Sequence, residues 1–398
     1  MMTVAESRMT GTEALCSTTT TNRSFEERAP YDVLWTIATL SDRETIHSLY
    51  LTCKYTYHVT SPLLWRRVTL DSDKIMDIEE RLDAMIRNGR AVYVHSCRIV
   101  FKQTWLDREV RTRILDKRLR VLGMMKNLKK LTINAVSNFD SSVSSTLQGL
   151  HDVSFHLESL STNIIPDRAL FDFLGTQPSI LHLDYSGKKR LIVPGTILPN
   201  LTSVQVNPEV LVGFAGGQRP ISALHLRGFV SGSIPLHHIC RDFMISQFNC
   251  PIRHLSVAVD TLTELFGSSL APLIPIFANH LCALELTFTG ILYGSEAGFW
   301  ALMGRFSNVV HLTLILTGRQ WHDNFDTERM LPHLPGRMGW FNGLDDQPSA
   351  LQTVVVVRRG GWDEYSRGPD PRTEGWGHVG HDGPSVPYPQ HKLNRMTA

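Results

Sequence analysis

Histidine is the side chain whose types and spacing come nearest to chemistry in this sequence. His182, His254 and His311 fall in one column, on the third, sixth and eighth copies of a recurring apolar pattern. Imidazoles gathered in this way are what a metal ion needs. If each copy is a strand, neighbours in the set are on the order of 10 to 14 Å apart at about 4.8 Å per strand. A zinc ion with bonds of about 2 Å cannot bridge that gap, so the column reads as polar residues on a sheet surface. His378, His381 and His391 have no cysteine or carboxylate framework around them. The run Gly213 to Gln218 is glycine-rich but has no helix start after it, so it reads as a turn and not as a phosphate cradle. A Walker-type loop, a nucleophile elbow and a His-Glu-x-x-His pair are all absent. The expectation is a chain with no catalytic residue, no metal and no cofactor, and therefore not an enzyme.

The elements that carry these residues belong to a large folded protein. The chain has 398 residues, 42% of them hydrophobic, enough for a sizeable core in two or three structural units. Forty basic and 38 acidic residues leave a formal charge of +2, which gives no long-range field for nucleic acid or an anionic membrane. Lys188-Lys189-Arg190 is a short basic cluster that reads as a solvated loop. Six scattered cysteines without a Cys-x-x-Cys pair suggest reduced core thiols. With no signal pattern and no long apolar run, the expected location is cytosol or nucleus, with neither nucleic acid nor membrane as partner.

Residues 1–28 lack hydrophobic periodicity and read as a disordered tail. A helical module spans 29–70. Pro30 suits a first helical position, and Val33, Leu34, Ile37 and Leu40 form the apolar side of a first helix. Ser41 would cap a second helix, and a third would begin at Ser61-Pro62. So small a unit needs a partner surface for its apolar face.

From 71 to 358 the pattern is an apolar residue, a second three places on, and a third two places after that. It reads Leu128-Leu131-Ile133, Leu150-Val153-Phe155, Ile180-Leu183-Tyr185, Leu201-Val204-Val206, Ile221-Leu224-Leu226, Ile252-Leu255-Val257, Leu281-Leu284-Leu286, Val309-Leu312-Leu314 and Leu351-Val354-Val356. Cys97 to Phe101 is a poorer match. The repeat is about 20 to 31 residues with one longer insertion, and helical segments such as Asp107 to Met125 lie between copies. The residues flanking the central position are mostly polar, as expected of a sheet with one face open to water. The fold class expected is α/β, a βα solenoid of leucine-rich-repeat type, against a doubly wound sheet as the alternative. Residues 359–398 form a Gly- and Pro-rich stretch expected to be a flexible tail, unless Trp362 and Trp376 fold back as a cap.

The module resembles the F-box of adaptor subunits in cullin-type ubiquitin ligases. The likeness runs through Pro30-x-Asp-Val-Leu-x-x-Ile37, Leu49-Tyr-Leu51-Thr-Cys53-Lys54 and Pro62-Leu-Leu-Trp-Arg-Arg-Val-Thr-Leu70. The last of these is similar to the end of fungal F-boxes that continue into leucine-rich repeats. The resemblance implies docking of a Skp-type adaptor, and through it a cullin scaffold, by Pro30, Val33, Leu34, Ile37 and Leu51. It also implies capture of a protein substrate by side chains pointing away from the repeat core: Asp184, Gln205, His225, Arg227 and Glu285. Two other readings stay open: a repeat scaffold whose N-terminal helices merely cap the solenoid, and an enzyme with an unfamiliar α/β fold.

Overall fold

The computed structural model describes residues 30–71, 75–101, 108–135, 147–150, 153–187, 189, 191–214, 218–227, 243, 251–259, 277, 279–288, 303, 305–317, 350–358, 361–367 and 376–382. The chain divides into two units, Met1–Trp65 and Arg66–Ala398.

Among its described residues the first unit holds three helices, α1 (Tyr31–Leu40), α2 (Arg43–Thr52) and α3 (Lys54–Trp65). Pro30 stands one place earlier than expected, as the N-cap of α1, with its carbonyl accepting from Leu34 N–H at 3.1 Å. Ser41 closes α1 by donating to the Ile37 carbonyl at 2.7 Å, and Asp42 is the cap of α2, its Oδ1 accepting from Thr45 N–H at 2.7 Å. The third helix begins at Lys54 and not at Ser61, because the Thr56 hydroxyl accepts from Cys53 N–H at 3.0 Å and secures a start there. Pro62 lies inside that helix, where its missing N–H removes one backbone bond. The inward side chains are Leu34, Ala38, Thr56, Val59 and Thr60. Only Leu34 of the four apolar residues expected on one face of α1 points into this core; Val33, Ile37 and Leu40 are exposed.

The second unit is an α/β array. Strands β1 (Arg67–Asp71), β2 (Ser96–Phe101), β3 (Lys130–Ala135), β4 (Ser159–Thr162), β5 (His182–Tyr185), β6 (Ser203–Val206), β7 (Ala223–Leu226), β8 (His254–Val259), β9 (Ala283–Phe288), β10 (His311–Leu316) and β11 (Thr353–Arg358) are parallel neighbours in chain order. Four described helices lie between strands: α4 (Ile75–Arg87), α5 (Arg108–Met124), α6 (Arg168–Gly175) and the short α7 (Pro208–Leu211). Sequential parallel order in one sheet is the solenoid-like arrangement; a doubly wound fold would reverse its order at a switch point. The boundary at Trp65/Arg66 corrects the expected one at 70/71, since Arg67 to Asp71 is the first strand of the sheet.

Two apolar ladders run the length of the parallel sheet. One is Val68, Cys97, Leu131, Leu160, Leu183, Val204, Leu224, Leu255, Leu284, Leu312 and Val354. The other, two residues on, is Leu70, Ile99, Ile133, Thr162, Tyr185, Val206, Leu226, Val257, Leu286, Leu314 and Val356. All are buried. Removing this much apolar surface from water, at about 25 cal/mol per Å², drives the stacking of copies that could not fold singly. Burial pushes the Cys97 thiol up to about 12, and Cys53, Cys97 and Cys282 are not in disulfides. Cys16, Cys240 and Cys250 lie outside the described residues.

One copy is displaced from its expected position. The strand after β3 is carried by Leu157, Leu160 and Thr162, not by Leu150, Val153 and Phe155. Thr162 fills the third rung, 2% exposed, and donor-acceptor needs of the earlier segment are met by a side chain: Gln177 Oε1 accepts from Leu157 N–H at 3.0 Å. The pitch is kept by the backbone. The carbonyl just before each strand accepts two successive N–H groups from the next copy, starting with Arg66 to His95 and Ser96 and ending with Val310 to Gln352 and Thr353.

The sheet does not stop where the Gly- and Pro-rich stretch begins. β12 (Gly361–Arg367) returns antiparallel against β11, and β13 (Trp376–Asp382) runs antiparallel to β12. This corrects the reading of 359–398 as a tail: glycine-rich segments pair here because the main chain supplies the bonds whatever the side chains are.

Candidate functional site

Strand alternation sends the residue between the two apolar ladders to the opposite face. That column is Thr69, Arg98, Thr132, Ser161, Asp184, Gln205, His225, Ser256, Glu285, Thr313 and Val355. Four of the five residues expected to hold a substrate are therefore brought together in register on β5, β6, β7 and β9. Arg227 follows β7 directly, its N–H donating to the Val206 carbonyl at 2.8 Å.

These side chains satisfy one another. Arg227 Nη2 and Ser161 Oγ both donate to Asp184 Oδ2 at 2.9 Å. With the Gln205 amide oriented to accept, its oxygen takes Arg227 Nε at 2.8 Å. Ser256 Oγ donates to Glu285 Oε1 at 2.7 Å, and burial holds the Glu285 carboxyl above its ordinary pKa. His225 and His254 meet edge to face, ring centroids 4.7 Å apart. The face is thus not uniformly open to water as expected: Ser256, Thr313 and Val355 are 9%, 4% and 1% exposed, whereas Thr69 and Arg98 are exposed.

Burial lowers both rings, His225 to about 4 and His254 to about 3, with His182 and Arg227 adding repulsion at His225. Both are neutral in the fold, while an unfolded histidine titrates near 6.5. As pH falls below about 6.5 the unfolded chain takes up protons first, so stability present above that pH is lost toward pH 4. The expected slope in urea unfolding is about 1.4 kcal/mol per pH unit for each histidine. A double His225→Gln, His254→Gln variant should show a flatter profile between pH 7 and 5; parallel profiles would exclude the pair as the source.

The five residues expected at the adaptor surface divide. Val33, Ile37 and Leu51 are 52%, 51% and 68% exposed, and Pro30 is exposed beside them in sequence. Leu34 is 3% exposed and is part of the unit's own core, which removes it from any contact surface. Leu40, at 84%, joins Val33 and Ile37 at helical spacing as an outward stripe. Among the eight large exposed hydrophobic side chains described, five lie in this small unit.

The sequence reading passed over Arg67, Arg98 and Lys130, which are exposed on the polar face at β1, β2 and β3. The signal was present: Arg98 is the polar residue between Cys97 and Ile99, in the strand that matched the repeat poorly. His182, His254 and His311 lie on β5, β8 and β10, spaced as the metal argument requires, and no metal-holding group of three or more such side chains occurs among the described residues. The side chains of His378 and His381, and all of His391, lie outside what is described.

The site and fold define a class, a parallel βα solenoid-like array preceded in the chain by a separate helical unit. No protein-family model matches the chain, and no curated protein matches it either. Among solved structures, one from Bacteroides fragilis is similar at 12% identity and a TM-score of 0.37, covering 64% of this chain and 69% of that one. No described helix is long and apolar enough to cross a membrane.

Proposed function

We propose that the chain recruits substrates to a cullin-type ubiquitin ligase, docking a Skp-type adaptor through an F-box-like helical unit and a protein substrate through a leucine-rich-repeat sheet. The observation that carries this reading is the exposed stripe Val33, Ile37 and Leu40, with Leu51, on a unit whose own core uses Leu34 and Ala38 instead. A contiguous exposed apolar patch, unlike singly scattered apolar residues, marks a surface that another protein covers. Ubiquitin transfer takes place on other subunits, so this chain acts by raising the local concentration of substrate near the conjugating enzyme.

The test is binding of purified chain to a Skp-type adaptor, followed by calorimetry or gel filtration. A one-to-one complex is expected. The double variant Val33→Glu, Ile37→Glu should bind at least about a hundredfold more weakly, because two side chains worth about 1.5 to 3 kcal/mol each no longer desolvate. Both positions are half exposed, so helicity should be unchanged. A folded wild-type chain that ignores the adaptor, or a double variant that binds as well, overturns the reading.

A further inference from the structure

We propose that the β1–β4 part of the polar sheet face binds an extended, carboxylate-rich peptide segment, using Arg67, Arg98 and Lys130 as its cationic contacts. The inference rests on the substrate role given to this sheet and names the chemistry of what it holds.

The strand register fixes the geometry. Arg67 pairs with Ser96 and Ser96 with Lys130, so Arg67 and Lys130 share a row two strands apart. Arg98 stands on the strand between them, two residues further along. At about 4.8 Å between strands and about 3.3 Å per residue, the three Cα atoms form a triangle with sides of about 8, 8 and 10 Å. Carboxylates on alternate residues of an extended peptide are about 7 Å apart, so long side chains on both partners span the difference. Ser96, Thr69, Thr132 and Ser159 fill the places between and around the cations, offering hydroxyl donors to the same oxygens.

Charge complementarity favours an acidic partner for this patch. Several other cations of the same unit have taken carboxylates of the chain: Arg113 holds Glu79, Lys117 holds Asp83, Lys129 holds Glu158 and Arg227 holds Asp184. Among the described residues Arg67, Arg98 and Lys130 form no ion pair and are exposed. The acids nearest by register are Glu158, next to Ser159 and paired with Lys129, Asp71 at the far end of β1, and Asp184 on β5, already engaged by Arg227 and Ser161. Three cations suit a short acidic segment better than a nucleic acid, which a protein usually holds through roughly 6 to 10 phosphate contacts.

The experiment titrates the full chain into a fluorescently labelled peptide of alternating Glu and Ser, beside the same peptide with Gln for Glu. The Glu peptide should bind and weaken with salt, and the Gln peptide should not bind. The triple variant Arg67→Ser, Arg98→Ser, Lys130→Ser should lose at least about tenfold in affinity, whereas Arg168→Ser, at an exposed cation on α6, should bind as the parent does. Equal binding by parent and triple variant overturns the proposal, as does tighter binding of a single-stranded DNA oligonucleotide. Folding is checked by circular dichroism, and the single charge reversal Arg98→Glu replaces the triple variant if that one misfolds. Adaptor binding is scored on the same preparations. A chain that binds adaptor but not the Glu peptide removes this proposal alone; one that binds the peptide but not adaptor supports it and removes the ligase reading.

Discussion

Replacing Arg219 with Met is expected to lower the unfolding free energy by about 4 kcal/mol, among the largest single-residue effects in this chain. Arg219 is 1% exposed, and burial holds its guanidinium below the usual pKa. Its charge is met by main-chain oxygens: Nε donates to Ile197 at 3.2 Å, Nη1 to Phe214 at 3.0 Å, and Nη2 to Val193 at 3.0 Å and Pro194 at 2.5 Å. The planar fork therefore ties the return segment after β5 to the one after β6. Met fills a similar volume but supplies no donor, leaving buried carbonyls that cost about 1 to 3 kcal/mol each when unpaired. Pro194 keeps its bond from Ile197 N–H, so the cost is counted over the other three. Lys keeps the charge but cannot reach four oxygens from one ammonium, so Arg219→Lys should recover less than half of the loss. Urea midpoints of the three proteins decide the matter; a Met variant within about 1 kcal/mol of the parent would show that water replaces the fork without penalty.

Gly213→Val is the second large effect, at about 3 kcal/mol or more. An added Cβ at this position would overlap the carbonyl oxygen of Leu191, with the Leu191 carbonyl carbon at 2.7 Å. The neighbour is main chain and cannot rotate away, and Gly213 O also accepts from Val193 N–H at 2.9 Å, which fixes the approach. Gly123 is the matched control. It lies in the last turn of α5 with nothing within 4 Å of where an added methyl would stand, so Gly123→Ala should be neutral or stabilising by up to about 1 kcal/mol. Equal destabilisation by the two changes would overturn the assignment of Gly213 to a close backbone approach.

The array was legible because its rungs are side chains. Leu-x-x-Leu-x-Leu survives unequal return lengths, and eight of the nine copies read from it coincide with strands β3 and β5 to β11. The copy that slipped is instructive, since Thr162 can occupy an apolar rung when its hydroxyl finds a backbone donor, here Ile164 N–H at 3.2 Å. β1 was hidden because Arg66-Arg67-Val68 follows a helix without a turn residue. β12 and β13 were hidden because main-chain pairing leaves no periodic trace in Gly-rich sequence. The candidate site was legible as a column and illegible as a network. Alternation placed Asp184, Gln205, His225 and Glu285 on one face, but nothing in their order foretold that Arg227 would reach back across two strands to Asp184. Nor did helical spacing alone separate Leu34 from Val33 and Ile37, because all three satisfy the same wheel and only the position of α3 distinguishes them.

The reversal of direction at β12 has a consequence for how the array could have grown. A parallel stack is extended by duplication: each new unit meets an edge identical in polarity to the one its predecessor met, so copies between β2 and β10 can be gained or lost without redesign. Once the chain doubles back at Gly361 the next strand runs against the array, so β12 is not a further parallel copy, although β13 regains the direction of β11. Across that reversal Asp363 and Tyr365 stand opposite the rungs Val356 and Val354, so the second apolar ladder stops at β11 and the hairpin bounds the repeat without extending it.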